Sequence, residues 1–248
     1  MTTTLLVDGD ILAYWACSGV EEATDWGDDW WTLTADAKQA KQMVDAQLAN
    51  YKNVLGGTRV VVCLSDSVDN WRWDVLPSYK GNRLGKRKPV CYRPVREYII
   101  DTYTTEILPR LEADDVLGLL STGPQIKGRK IIVSEDKDLK TIPGLLYNPN
   151  RGEEGVREIS IEEANRWHLM QTLTGDAVDN YKGCPGIGPV KAEKLLDESP
   201  SWATVKAAYE KAGLSEEEAL RQARVARILR HGEYDARRGQ VIYWSPDA

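Results

Sequence analysis

Residues 130–138 read KIIVSEDKD, a short β-branched run that passes directly into three acids, Glu135, Asp136 and Asp138. A brief continuous apolar run predicts a strand buried on both faces. In open α/β sheets, ligands gather outside the carboxyl ends of such strands. The same order recurs upstream: TTLLV (3–7) ends at Asp8, and RVVVCLS (59–65) ends at Asp66. GLLYN (144–148) predicts one more strand. Helical patterns fill the intervals, from Asp36 to Leu55 before Gly56-Gly57, from about Pro94 to Leu108, and through LEADDVLGLLS (111–121). The alternation predicts an α/β fold, a parallel sheet with helices on both faces. A single acid after a strand is commonly a turn residue or helix cap. Three strands ending this way, beside Glu112, Asp114 and Asp115, predict a site.

From Glu158 onward the pattern is nearly all helix, with Ser-to-Glu capping boxes at SIEE (160–163) and SEEE (215–218). A Pro/Gly-rich link at 149–157 places the expected boundary between a catalytic domain over 1–150 and a helical region over 158–232. The remainder, 233–248, is expected as a tail with a short edge strand at VIYW (241–244). DWGDDWWTL (25–33) is expected as a hairpin or loop insertion and matches no functional motif.

The chain has 248 residues, 42% of them hydrophobic and 28% charged, and no apolar stretch suited to spanning a bilayer. Its N-terminus has acids inside its apolar stretch and no basic flank, unlike a signal peptide. Four scattered cysteines suit neither zinc nor a disulfide scaffold, so a reducing, cytoplasmic setting is expected. The net charge of -6 argues against nucleic acid until its distribution is seen. Lys80 to Arg110 holds eight basic residues against three acids. Arg221, Arg224, Arg227 and Arg230 recur every third residue, a spacing open to a phosphate-facing ridge or a solvated face.

GDAVDNYKGCPGIGPVKAEKLL (175–196) adds Asp176 and Asp179, three apart and therefore on one face if helical. Gly183, Gly186 and Gly188 precede a helix carrying Lys191 and Lys194, an arrangement that offers backbone N–H groups to phosphate. Asp8, Asp66, Glu112, Asp114, Asp115, Asp136, Asp138, Asp176 and Asp179 form the candidate acidic set. Hard oxygen donors select Mg²⁺ or Mn²⁺. Two such ions activate water and stabilise the leaving oxygen of a phosphodiester.

EADD (112–115), SEDKDL (134–139), LPSYKGNR (76–83) and GDAVDNYKGCPGIGPVKA (175–192) together resemble the flap endonuclease/5′–3′ exonuclease family, most of all its short bacteriophage members. The resemblance implies a PIN-like catalytic domain followed by a helix–hairpin–helix region. It implies that Asp8, Asp66, Glu112, Asp114 and Asp136 serve one metal position, with Asp115 bonded through water or supporting. Asp138, Asp176 and Asp179 serve the second, with Asp136 shared. Lys80 would meet the scissile phosphate, Arg83 a neighbouring phosphate, and Tyr79 the terminal base. A basic helical arch over about 80–108, carrying Lys86, Arg87, Lys88, Arg93 and Arg96, would guide a 5′ single strand. Gly183 to Lys191 would grip duplex, completed in some members by K⁺. The implied partner is DNA with 5′ ends, flaps or nicks, or an RNA–DNA hybrid, bound by a monomer with no membrane contact. Asp10 departs from the family pattern. Two alternatives remain open here: a haloacid-dehalogenase-like phosphatase using Asp8 of VDGD as nucleophile, and a DNA-binding module without catalysis.

Overall fold

The structure, a computed structural model, describes residues 2–246. The chain opens with β1 (Thr3–Asp8) and α1 (Gly9–Ser18), followed by a hairpin of β2 (Glu21–Asp25) and β3 (Trp31–Ala35). Helix α2 (Ala37–Leu55) leads into β4 (Arg59–Cys63), one turn of helix α3 (Arg72–Val75), then α4 (Tyr92–Thr102) and β5 (Thr105–Glu106). Next come α5 (Ala113–Thr122), β6 (Arg129–Val133), β7 (Gly144–Tyr147) and β8 (Val156–Ile159). Four helices follow, α6 (Ile161–Thr174), α7 (Pro189–Glu198), α8 (Trp202–Lys211) and α9 (Glu216–Ala226), before a small hairpin of β9 (Tyr234–Asp235) and β10 (Gln240–Val241).

Six strands form one sheet in the order β5-β4-β1-β6-β7-β8. All neighbours are parallel except β8, which returns antiparallel to β7. Strand order reverses at β1, so the crevice at its carboxyl end is the place where such sheets bind ligands. Period-two alternation builds a core on each side. Leu5, Val7, Val62 and Ile131 pack with Leu12, Val44, Leu48 and Ile99 on one face. Leu6, Val61 and Ile132 pack with Val116, Leu117 and Ile228 on the other. Each such side chain contributes roughly 1.5–3 kcal/mol when fully buried. A third core, with Leu169, Leu173, Leu196, Val205 and Tyr209, holds the C-terminal helices together.

Local signals behave as their chemistry predicts. Asp36 accepts the N–H groups of Lys38 and Gln39 at the start of α2, and Gly56 ends it in the left-handed region at φ 62°. Ser160 and Ser215 cap α6 and α9, but Glu163 and Glu218 turn to Arg157 and Arg221, leaving the reciprocal half of each capping box unmade.

Several expectations differ from the observed elements. The helix expected to run to Leu108 ends at Thr102, because Thr105 and Glu106 pair with β4 as an edge strand. The basic stretch 84–91 is irregular rather than helical, and helix begins only at Tyr92. The link at 149–157 folds as a 3-10 turn over Pro149–Glu154, and β8 carries the sheet on to Ile159. Of VIYW only Val241 is paired, and it joins a separate hairpin with Tyr234. Residues 247 and 248 of the expected tail lie outside the described residues. No helix among the described residues is long and apolar enough to cross a membrane. All four cysteines are free and buried.

Candidate active site

Asp8 is the last residue of β1 and also the cap of α1: its Oδ1 accepts the Ile11 N–H at 3.1 Å and its Oδ2 the Ser134 hydroxyl at 3.0 Å. The following Gly9 is required by space, since a Cβ there would sit 2.5 Å from Val62 Cγ1 and 2.7 Å from the Cys63 carbonyl. Strand β4 delivers Asp66 through the loop beyond its end, where the carboxylate accepts the N–H groups of Val68 at 2.9 Å and Arg110 at 2.8 Å. Strand β6 delivers Asp136 and Asp138, with Asp136 Oδ1 accepting the Asp138 N–H at 2.8 Å. Helix α5 points its N-terminus at the same crevice and contributes Glu112 and Asp114.

Asp176 and Asp179 arrive from the far side on a loop, not on a helix. Helix α6 ends at Thr174, and the chain turns back through a bridge between Asp176 and Tyr181. Gly175 and Gly183, at φ 66° and 64°, lie back to back across this turn; a Cβ on either would overlap the other's backbone. The loop is laced to the SYKGNR segment. Asn82 donates to the carbonyls of Ala177 and Val178 at 3.0 and 3.2 Å, and Asn180 donates to Ser78 O at 2.7 Å. Lys80 sits between them in the left-handed region at φ 54°, its N–H on Asp179 O at 2.9 Å. A non-glycine residue held there marks a position over-determined by its surroundings.

Eight of the nine expected acids line one cavity of about 1090 Å³, together with Lys80 and Arg83. Lys80 Nζ lies 2.5 Å from Glu112 and 3.6 Å from Asp179, and Arg83 lies 2.5 Å from Asp179. Burial resists ionisation of Glu112, but the Lys80 ammonium and Arg72 guanidinium overcome it and pull its pKa down to about 2. Burial likewise opposes the Lys80 charge, and the carboxylates of Glu112, Asp179 and Asp114 raise its pKa in return. The other acids are not so served. Burial and the neighbouring charges of Asp10 and Asp136 push Asp8 up to about 7. Burial and Asp136 push Asp138 up to about 7, and Asp114 rises well above the ordinary range for the same two reasons.

Crowded carboxylates raised by desolvation and by each other ask for positive charge. Asp138 Oδ1 is buried without a hydrogen-bond partner, and its nearest cation, Lys137 Nζ, stands at 3.6 Å. The donors are all oxygens, which fits hard divalent cations. Among the described residues no three His, Cys, Asp or Glu side chains converge tightly enough to cage an ion by themselves. They ring a cavity instead, an arrangement suited to ions that keep part of their water.

No family model matches the chain. The exodeoxyribonuclease of enterobacteria phage T3 is 31% identical over 98% of this chain and 92% of its own length. The exonuclease of Escherichia phage T7 is 31% identical over 98% of this chain and 93% of its own. This chain belongs to the phage 5′–3′ exonuclease family. Its fold matches the bacteriophage T5 flap endonuclease solved as a pseudo-enzyme–product complex with DNA and metal ions, at a TM-score of 0.67 and 16% identity over 90% of this chain and 88% of that one.

Within this family member, several expected roles fall elsewhere. Asp115 is fully buried and faces away from the cavity. Its carboxylate takes two parallel bonds from Arg72, at 2.7 and 2.9 Å, and others from Trp71 Nε1 and the Leu229 N–H, so it has no oxygen left for a metal. Tyr79, expected to stack on a base, is 4% exposed; its hydroxyl lies 2.9 Å from Glu112 and 3.0 Å from Asp179. Lys86, Arg87, Lys88 and Arg96 do line the cavity, whereas Arg93 lies outside it and pairs with Glu97 on the surface of α4. In the glycine hairpin, Lys191 Nζ donates to Gly186 O at 2.8 Å, Gly188 caps α7 without a side-chain bond, and Lys194 is exposed. The arginine series divides: Arg221 pairs with Glu217 and Glu218 on the surface of α9, Arg224 donates to Trp244 O, and the last two turn inward. Arg227 pairs with Glu233, Arg230 donates to Thr141 O and Asn165, and both are buried.

The haloacid-dehalogenase alternative needs Asp8 as an accessible nucleophile. Asp8 is 4% exposed, with both oxygens accepting hydrogen bonds. Asp10, which the motif pattern left out, lines the cavity and accepts from Ser65 N and the Tyr92 hydroxyl. Lys137 also lines it, 2.6 Å from Asp176. The spacing of SEDKD carried that signal, a cation set between two cavity acids. Arg72 had none, because its partners lie 40 or more positions away.

Proposed function

We propose that the exonuclease is a structure-specific 5′ nuclease that cuts DNA at 5′ ends and flaps, as a 5′–3′ exonuclease and flap endonuclease. The observation that carries this reading is the set of raised, crowded carboxylates around Asp8, Asp114 and Asp138, facing Lys80 and Arg83 across one cavity. Asp8, Asp66, Glu112, Asp114 and Asp136 would hold one divalent cation, and Asp138, Asp176 and Asp179 a second, Mg²⁺ or Mn²⁺. Bound there, two cations supply an activated water and stabilise the leaving oxygen of the phosphodiester.

The chain's own groups supply the remainder. Lys80, its left-handed backbone fixed by Asp179, presents a protonated ammonium for the scissile phosphate. Arg83, half-exposed at the cavity rim, meets an adjacent phosphate. Lys86, Lys88 and Arg96 line the route of a single strand, and the N–H groups of Gly186, Gly188 and the first turn of α7 hold duplex by its backbone, those of Gly183, Cys184 and Ile187 being taken within the protein. Contacts of this kind position substrate without reading bases, so sequence preference is weak. RNA–DNA hybrid is an acceptable duplex on the same grounds. K⁺ at the glycine hairpin, a monomeric state and action in the host cytoplasm belong to the same reading. Products carry a 5′-phosphate and a 3′-hydroxyl.

A product ladder from a 5′-labelled flap and a matched blunt duplex tests it. Mg²⁺ should release short 5′ products, and Ca²⁺ should permit binding without turnover. Undiminished cleavage in excess EDTA overturns the reading.

A further inference from the structure

The Trp-rich acidic segment plays no part in the site as described. It forms β2 and β3, paired from Glu21↔Ala35 to Asp25↔Trp31, with seven of the ten strand residues exposed and none buried. At its tip Trp26 N donates to Trp30 O at 2.8 Å, Gly27 N to Asp25 at 2.9 Å, and Trp26 Nε1 to Thr32 Oγ1 at 2.9 Å. An isolated two-stranded hairpin is marginal in water. This one nevertheless holds three large rings in solvent, Trp26 at 68%, Trp30 at 73% and Trp31 at 58% exposure. Scattered exposed apolar residues are ordinary, but three indoles within six residues, Trp26 and Trp30 on one face of the hairpin tip and Trp31 on the other, mark an interaction site.

Two observations say what it meets. The acidic cavity extends along α1, where Tyr14, Trp15 and Gly19 line it, and so reaches the root of the hairpin. At that root Glu21 accepts both Arg87 guanidinium nitrogens, at 2.8 and 2.5 Å, and the Val90 N–H at 2.8 Å. The hairpin is thus bolted to the basic segment that lines the cavity.

We propose that the hairpin is a stacking platform for the unpaired 5′ strand of the substrate, taking bases that lie beyond the cavity and its basic segment. The inference rests on the nuclease reading above. Indole rings stack on any base, and Lys86, Arg87 and Lys88, at the hairpin's root rather than beside the rings, attract the backbone on its way from the cavity. Glu22, Asp25, Asp28 and Asp29 on the same hairpin repel the close-set phosphates of a duplex. The combination favours splayed single strand over double strand.

The test compares the intact protein with a triple variant, Trp26→Ala, Trp30→Ala and Trp31→Ala. Binding is measured in Ca²⁺ to oligo(dT), to 5′ flaps of increasing length and to blunt duplex. The intact protein should gain affinity with flap length. The variant should lose that gain, by roughly tenfold on the longest flap, with duplex affinity unchanged. A second variant with Phe at the same three positions keeps the rings and should restore the gain. Equal flap-length dependence in intact and alanine proteins overturns the platform. So does a variant that binds DNA normally but loses self-association in sedimentation, which would assign the rings to protein contact. If the intact protein cleaves neither flap nor duplex in Mg²⁺, the nuclease reading has failed instead, and the two failures are distinct.

Discussion

Two charge-dense regions of the exonuclease lie a few ångströms apart and behave in opposite ways. Around Asp8, Asp114 and Asp138, carboxylates crowd one another, and burial pushes their pKa values upward. Behind them, Asp115 and Arg72 form a buried pair in which every partner is met, with Arg72 donating also to the carbonyls of Val225 and Arg227. Both sites have removed charge from water, which is costly without compensation. The second was compensated within the chain and joins α3, α5 and the end of α9. The first was not, and that unmet demand is what makes it a candidate site for ions and phosphate. Glu112 belongs to both, bound to Arg72 on one side and Lys80 on the other.

Asp114→Asn breaks the contrast most sharply. Cleavage should fall on the order of 10³-fold, while the EDTA-treated protein should melt at a higher temperature because an ionisable group that burial and its neighbours hold away from its ordinary titration is gone. A lower melting temperature in EDTA would show that Asp114 is structurally satisfied after all. Arg72→Met acts on the other region, leaving Asp115 charged and alone. Urea unfolding should show a loss of about 3–5 kcal/mol, largely recovered by adding Asp115→Leu.

The pH dependence of the metal-free protein separates the regions again. Asp8 and Asp138 have native pKa values near 7, above the ordinary 3.8, so they hold protons that the unfolded chain has released. Their contribution is complete below about pH 4 and is lost as pH rises toward 7. Glu112 runs the other way: at about 2 against an ordinary 4.5, its contribution is present above pH 4.5 and lost as pH falls toward 2. Stability in EDTA should therefore peak in mildly acidic solution, and added Mg²⁺ should flatten the limb approaching pH 7. A profile unchanged by Mg²⁺ would count against ion binding by these acids. The smallest effect is at the rim. Arg83→Ala removes a half-exposed pair with Asp179, so stability should change by less than about 1 kcal/mol, while flap cleavage drops about tenfold. A large stability loss would move Arg83 from the substrate path into the scaffold.

How far the sequence alone reached varies by element. The strands leading to Asp8, Asp66 and Asp136 were legible because a buried parallel strand is a short β-branched run. The acids beyond it stand out against that background. The cap at Asp36 and the glycine stop at Gly56 were legible because both are local hydrogen-bond or dihedral requirements. Asp115 was misassigned because it adjoins Asp114 in a motif of like residues. Adjacent helical positions point about 100° apart, and only the packing of residues 225–229 decides which faces the sheet end. The arginines 221–230 were illegible for a related reason. Their spacing shows a series of charges, whereas Arg227 and Arg230 find their partners Glu233, Thr141 and Asn165 outside the helix and Arg221 finds its own within it.

By itself, then, the sequence determined the alternation of strand and helix, the order of acids at strand ends and the glycine hairpin, because these follow from near-neighbour chemistry. Only the tertiary structure decided which acids share a cavity, which are neutralised by arginine, and that the tryptophans stand exposed at the tip of a hairpin whose root meets the cavity. Burial and charge pairing depend on residues distant along the chain, and a one-dimensional pattern holds no record of that distance.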